Sequence, residues 1–167
     1  MASTQTGVSK AMLGQIERGE SSPTISTLWK ISSGFQVPFS SFVKETSSQN
    51  TETIHRIGTP ETIHPRDDKM LITPLFPYDE KLSFEAFIIE LLPNCTQLSP
   101  PHTGDVTEHV IVTEGTMEVF LEGIWHILKK NEGLRFNANQ PHGYRNTGKQ
   151  KSVFHNMLHY PKKLEAP

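Results

Sequence analysis

Between Gly7 and Ile31 the chain reads GVSKAMLGQIERGESSPTISTLWKI, and no other stretch limits its fold so tightly. Val8, Met12, Leu13 and Ile16 fall on one helical stripe, while Lys10, Ala11, Gly14, Gln15 and Arg18 fall on the other. Ser9 is placed to cap the start of this helix, and Gly19 to end it in a left-handed conformation. Pro23 and Thr24 open a second helix, with Ile25, Leu28, Ile31 and Phe35 at helical spacing, and a third short helix is predicted over Phe39 to Val43. Only Met1 to Thr6 precede the first turn, too few for a full helix ahead of it. Val8, Leu13, Ile25 and Phe35 therefore need partners from a dimer or from the rest of the chain.

The pattern then changes twice. KETSSQNTETIHRIGTPETIHPRDD, Lys44 to Asp68, is polar, Thr-rich and nearly free of apolar periodicity, as a linker is. From Lys69 the chain turns to short β-prone runs separated by Gly, Pro and Asn: MLITPLF, SFEAFIIELL, HVIVTEG, TMEVFLEG, IWHIL, LRFNA, HGYRN and SVFHNMLHY. Such spacing predicts an antiparallel barrel or sandwich, and Glu122 with Gly123 marks the clearest hairpin. The expected organisation is a helical segment over 1–45, a linker over 46–68 and a β domain over 69–167, mainly β in all.

At 167 residues the chain has room for two such modules. A net charge of −2 excludes a surface coated in basic residues, so any polyanion contact comes from a local patch. The first 44 residues hold four Lys or Arg against two Glu. The single Cys95 excludes an internal disulfide and a Cys-rich zinc site, which suits a reducing cytoplasm. No run has the composition of a signal peptide or the length of a membrane span, so a soluble cytoplasmic protein is expected.

The segment around Gly7, Ser9, Leu13, Ile16, Glu17, Arg18, Gly19 and Pro23 resembles the Cro/C1-type, XRE-like helix-turn-helix of bacterial regulators. The resemblance implies a recognition helix whose Lys10, Ala11, Gly14 and Gln15 face base edges in the major groove of operator DNA. Gln can bond adenine N6 and N7, Lys guanine O6 and N7, and the Ala methyl can touch a thymine methyl. Ser9, Arg18, Ser21, Ser22 and Thr24 would lie near phosphates. The helix expected ahead of this unit is the part the chain lacks.

The string PPHTGDVTEHVIVTEG, with His102, Glu108 and Gly115, and PHGYRN, with His142 and Asn146, resemble the two cupin motifs of a double-stranded jelly-roll barrel. Gly104 stands where that motif places a second histidine. Two imidazoles and a carboxylate can hold a divalent metal, so His102, Glu108 and His142 are candidate ligands. With Gly104 supplying none, the expectation is no resident metal or other cofactor. Those three residues, with Tyr144 and His155, instead form a candidate effector pocket. His109 is expected to point away from the side that Glu108 faces.

The strings EHVIV, NEGLRF, PHGYRN and LITPLFPYD extend the resemblance to regulators that join this helix-turn-helix to a single cupin. It implies a non-enzymatic, homodimeric transcriptional regulator that binds operator DNA and a small-molecule effector. A metal-dependent cupin enzyme and a dimerising module without competent DNA binding stand as the alternatives.

Overall fold

The computed structural model describes residues 1–42 and 69–161; the expected linker over 46–68 and the end of the expected third helix at Val43 lie outside the described residues. A short helix α1, Ala2–Thr6, ends at the left-handed Gly7 and leads into α2, Lys10–Glu17. Ser9 caps α2 by accepting the Met12 N–H at 3.2 Å. At the other end the Gly19 N–H bonds the Ile16 carbonyl and the Glu20 N–H bonds that of Gln15, with Gly19 at φ +70°. This double closure with glycine in the left-handed region is what the sequence required at that point. Thr24 then caps α3, Ile25–Phe35, by accepting the Thr27 N–H at 3.1 Å. A 3₁₀ turn follows at Phe39–Phe42. α1 lies against α3 at Gly34, where a Cβ would sit 2.6 Å from the Gln5 carbonyl oxygen.

The β domain is two facing antiparallel sheets. One is ordered β1(Met70–Asp79), β2(Phe84–Leu91), β9(Ser152–His159), β4(Thr107–Glu114), β7(Gly133–Asn137). The other is ordered β3(Cys95–Ser99), β8(His142–Asn146), β5(Thr116–Leu121), β6(Ile124–Lys129). Glu122 at φ +51° and Gly123 at φ +82° make the β5–β6 turn, and their positive angles match strand twist in a two-residue hairpin. Alternation along β9 buries Phe154, Asn156 and Leu158 and turns Val153, His155 and Met157 outward. The polar strand β3 has little apolar pattern of its own and exists through its register with β8, Cys95 opposite Asn146 to Ser99 opposite His142.

The helices share the barrel's core. Ile25, Leu28, Trp29 and Phe39 join Ile72, Phe87, Ile89, Val110 and Phe154 in one buried cluster. Trp29 stacks on Phe39 at 4.3 Å between ring centroids, and Phe39 meets Phe87 edge-on at 5.6 Å. The partner that Ile25 needed is thus the barrel. Val8 is also buried, Leu13 half-buried, and Phe35 remains 44 % exposed. Polar bonds fasten the seam: the fully buried Glu85 of β2 accepts the Phe39 N–H at 3.1 Å, the Ser40 N–H at 2.9 Å and the Tyr160 hydroxyl. The Ser40 hydroxyl in turn accepts the Tyr78 N–H at 2.9 Å.

Candidate functional site

α2 turns its polar stripe to solvent. No residue of this helix is fully buried: Met12, Leu13 and Ile16 are half-buried, and Lys10, Ala11, Gln15 and Arg18 are exposed. The Arg18 guanidinium folds back over Gly14, where a Cβ would lie 3.0 Å from its Nη1. It also grips Glu20 in a two-pronged pair, Nε to Oε1 at 2.7 Å and Nη2 to Oε2 at 2.9 Å. The Ser9 and Thr24 hydroxyls serve as helix caps, Ser21 is half-buried and Ser22 exposed.

The second site lies between the sheets. Glu108, facing inward from β4, receives the His102 Nε2–H on Oε1 at 3.0 Å; its Oε2 accepts Asn156 Nδ2 at 2.9 Å and the Tyr144 hydroxyl. His142 donates Nδ1–H to the Gln140 carbonyl at 2.9 Å, so its Nε2 presents a lone pair 3.5 Å from Glu108 Oε1. All of these side chains are buried. Burial pushes the Glu108 carboxyl up, but the His102 hydrogen bond, the imidazole charges and the Tyr144 hydroxyl outweigh it and hold the group at about 2. Burial lowers the His142 imidazole, and burial together with the neighbouring Glu108 carboxylate raises Tyr144 far above its ordinary value. The floor therefore carries a carboxylate beside a phenol that keeps its proton.

Helical residues close this floor from above. Trp29 stacks on the His102 ring at 4.1 Å, and Ile25, Trp29 and Phe39 line the cavity with Met70, Phe87, Glu108, His142 and Asn156. About 10 Å³ remains free, room for roughly one water. Among the described residues, His102 Nδ1 and Asn156 Oδ1 are buried with no hydrogen-bond partner. Of the expected effector pocket, His102, Glu108, His142 and Tyr144 come together, and His155 does not. Strand alternation puts Asn156 inside and turns His155 to the opposite face. The outward placement of His109 agrees with the expectation.

The donor atoms of His102, Glu108 and His142 lie within 4.8 Å of one another. Two acceptors, His142 Nε2 and Glu108 Oε1, face each other at 3.5 Å and are balanced only by a proton or a cation between them. These three residues thus fit a divalent ion held by three protein donors. Gly104 adds none: it is exposed at φ +89°, and a side chain there would meet nothing within 4 Å.

Residues 1–42 match the Helix-turn-helix family and residues 87–158 the Cupin domain family. The chain is 47 % identical over 157 residues to the HTH-type transcriptional regulator SutR of Escherichia coli strain K12, covering 94 % of this chain and 83 % of that protein. The chain belongs to the HTH-type transcriptional regulators that carry a cupin domain. A crystal structure of an HTH_3 family transcriptional regulator from Vibrio cholerae superposes with a TM-score of 0.82 at 44 % identity, over 96 % of this chain and 85 % of that one. The cupin domain of an XRE family transcriptional regulator from Enterobacter cloacae gives 0.55 at 41 % identity, over 56 % of this chain and 99 % of that one. DNA binding follows from membership in this family of regulators. No described helix is long and apolar enough to cross a membrane.

Sequence reasoning missed Trp29, Phe39, Glu85 and Asn156. Trp29 sits four residues after Ile25 on the apolar stripe of α3, so periodicity could have flagged it as buried. Asn156 was reachable from the Phe154 and Leu158 alternation. No sequence pattern links Phe39 to Glu85, 46 residues away.

Proposed function

We propose that this regulator reads operator DNA with α2, placing Lys10, Ala11, Gly14 and Gln15 at base edges and Ser9, Arg18, Ser21, Ser22 and Thr24 near phosphates. The observation that carries this is the solvent-exposed polar face of α2, with Lys10, Ala11, Gln15 and Arg18 exposed while Met12, Leu13 and Ile16 are half-buried. Arg18 exchanges Glu20 for a phosphate on binding, since both carboxylate and phosphate take the same two-pronged guanidinium. The barrel pocket is the effector site, with His102, Glu108, His142 and Tyr144 on its floor. The protein acts as a homodimer in the cytoplasm, because helix-turn-helix pairs read half-sites about 34 Å apart. It acts as a regulator and not as an enzyme, a reading supported by the HTH-type transcriptional regulator it resembles. Among the described residues, the apolar row of Leu98, Phe120 and Trp125 across Gly143, on the outer face of the β3–β8–β5–β6 sheet, supports pairing of two copies.

A mobility-shift assay on Gln15→Ala and Arg18→Ala tests the assignment. The first should lose about 1–3 kcal/mol at one base position and relax specificity there. The second should weaken binding to all sequences alike and reduce the salt slope by roughly one unit. Specific binding untouched by Gln15→Ala refutes the role of α2.

A further inference from the structure

The pocket floor has a one-sided demand for hydrogen-bond partners. Its carboxylate, the His142 Nε2 lone pair and the unpartnered Asn156 Oδ1 are all acceptors. His102 Nδ1 is buried beside them with no partner among the described residues. Around that floor, on which Tyr144 lies, stand the rings of Phe39 and Phe87. Acceptors below and rings around suit a positively charged head that carries N–H donors. An anion would meet the Glu108 carboxylate, with the Ser99 hydroxyl as a lone donor at the pocket wall.

The space such a head would need is filled by the protein's own helical segment. With Trp29 lying on His102, only about one water's volume remains. Trp29 belongs to α3, which α1 packs against and which the seam at Phe39 and Glu85 holds to the barrel. We propose that the pocket binds a small molecule bearing a protonated amine and that Trp29 is its lid, so that occupancy and the docked position of α3 exclude each other. This rests on the reading of the barrel pocket as the effector site, and it names both the ligand class and the element through which the ligand reaches the DNA-reading helices. A ligand that binds only when the lid has lifted is weakened by the fraction of time the lid is open. Deleting the lid must therefore tighten binding, whereas deleting a wall that touches the ligand would weaken it.

The probe is ethylammonium chloride, with sodium propionate as the anion of matched size, titrated by calorimetry at constant ionic strength into the full chain. Trp125→Phe leaves Trp29 as the single tryptophan for fluorescence. Ethylammonium should bind, shift Trp29 emission to the red and expose it to acrylamide, while propionate does neither. Trp29→Ala should bind ethylammonium roughly tenfold more tightly or better. Trp29→Leu serves the same comparison if the alanine variant loses the barrel's circular dichroism. Glu108→Gln should not bind. Weaker binding by the lidless variants, an amine that binds with Trp29 unmoved, propionate binding as well as the amine, or Glu108→Gln binding normally each overturns the proposal. So does manganese alone moving Trp29 where no amine does. Mobility shifts on the same preparations separate the two readings: a lid that opens in a chain blind to DNA refutes the regulator assignment, and DNA binding without any amine response refutes the lid.

Discussion

Glu85→Gln isolates the seam between helices and barrel. Glutamine keeps the shape of the side chain and one acceptor oxygen, but it turns an NH₂ toward groups that are themselves donors: the Phe39 and Ser40 N–H groups and the Tyr160 hydroxyl. At least one buried donor is then unmet, at about 1–3 kcal/mol, and the loss of charge in the remaining bonds adds about 1 kcal/mol. Against this roughly 2–4 kcal/mol stands the burial of Trp29 and Phe39, about 1.5–3 kcal/mol for each large side chain taken from water. The two are of the same size, so the variant should keep its barrel while its helices spend a measurable fraction of time undocked. In a Trp125→Phe background, Trp29 emission should move to the red and become more accessible to acrylamide, with strand circular dichroism retained. Urea unfolding should lose about 2–4 kcal/mol. Emission unchanged, together with a stability within about 0.5 kcal/mol of the parent, would refute the argument that Glu85 fastens the seam.

The Glu108 carboxyl lies at about 2 in the folded chain against an ordinary 4.5, which is worth about 3 kcal/mol of stability above pH 4.5, lost as pH falls toward 2. His142 acts in the same direction, because its lowered folded value lets the unfolded chain take up the proton first below pH 6.5. Urea unfolding between pH 7 and pH 3.5 should therefore show falling stability, and a flat profile contradicts the buried cluster. Elemental analysis should find less than one divalent ion per purified chain, because a metal must first displace the buried His102–Glu108 hydrogen bond; one ion per chain, lost together in His102→Ala and His142→Ala, overturns this. Glu20→Ala frees Arg18 and should strengthen binding to random DNA, with the salt slope unchanged or steeper by up to about one unit. Weaker binding in that variant would mean Glu20, rather than a phosphate, is the partner Arg18 needs on DNA.

Local chemistry made much of the fold readable. The Ser9 and Thr24 caps, the left-handed Gly19 and the Glu122–Gly123 hairpin depend on residues within a few positions of one another, and each stands where its residues put it. The pocket floor was readable for a similar reason, since His102, Glu108 and His142 come from two short strings. β3 was not, because CTQLS is held as a strand by pairing with β8 and not by its own pattern. His155 was misplaced because a one-residue choice of register swaps the faces of β9, and Phe154 alone did not decide it. The lid was invisible for a different reason: stacking of Trp29 on His102 joins residues of two modules across a polar stretch that offers no register.

That joining changes what the two modules are to each other. A segment of three short helices, one with no buried residue, gains little stability from its own packing. Its largest apolar side chains, Trp29 and Phe39, instead complete the barrel's core, and the barrel's Glu85 satisfies the backbone of the 3₁₀ turn. The orientation of α2 relative to the barrel therefore depends on contacts made at the pocket itself. Any group that enters the pocket must compete with Trp29, and any change that weakens the seam must favour entry. Coupling of this kind needs no relay of residues between distant sites, because one aromatic ring is both the pocket's ceiling and the anchor of α3.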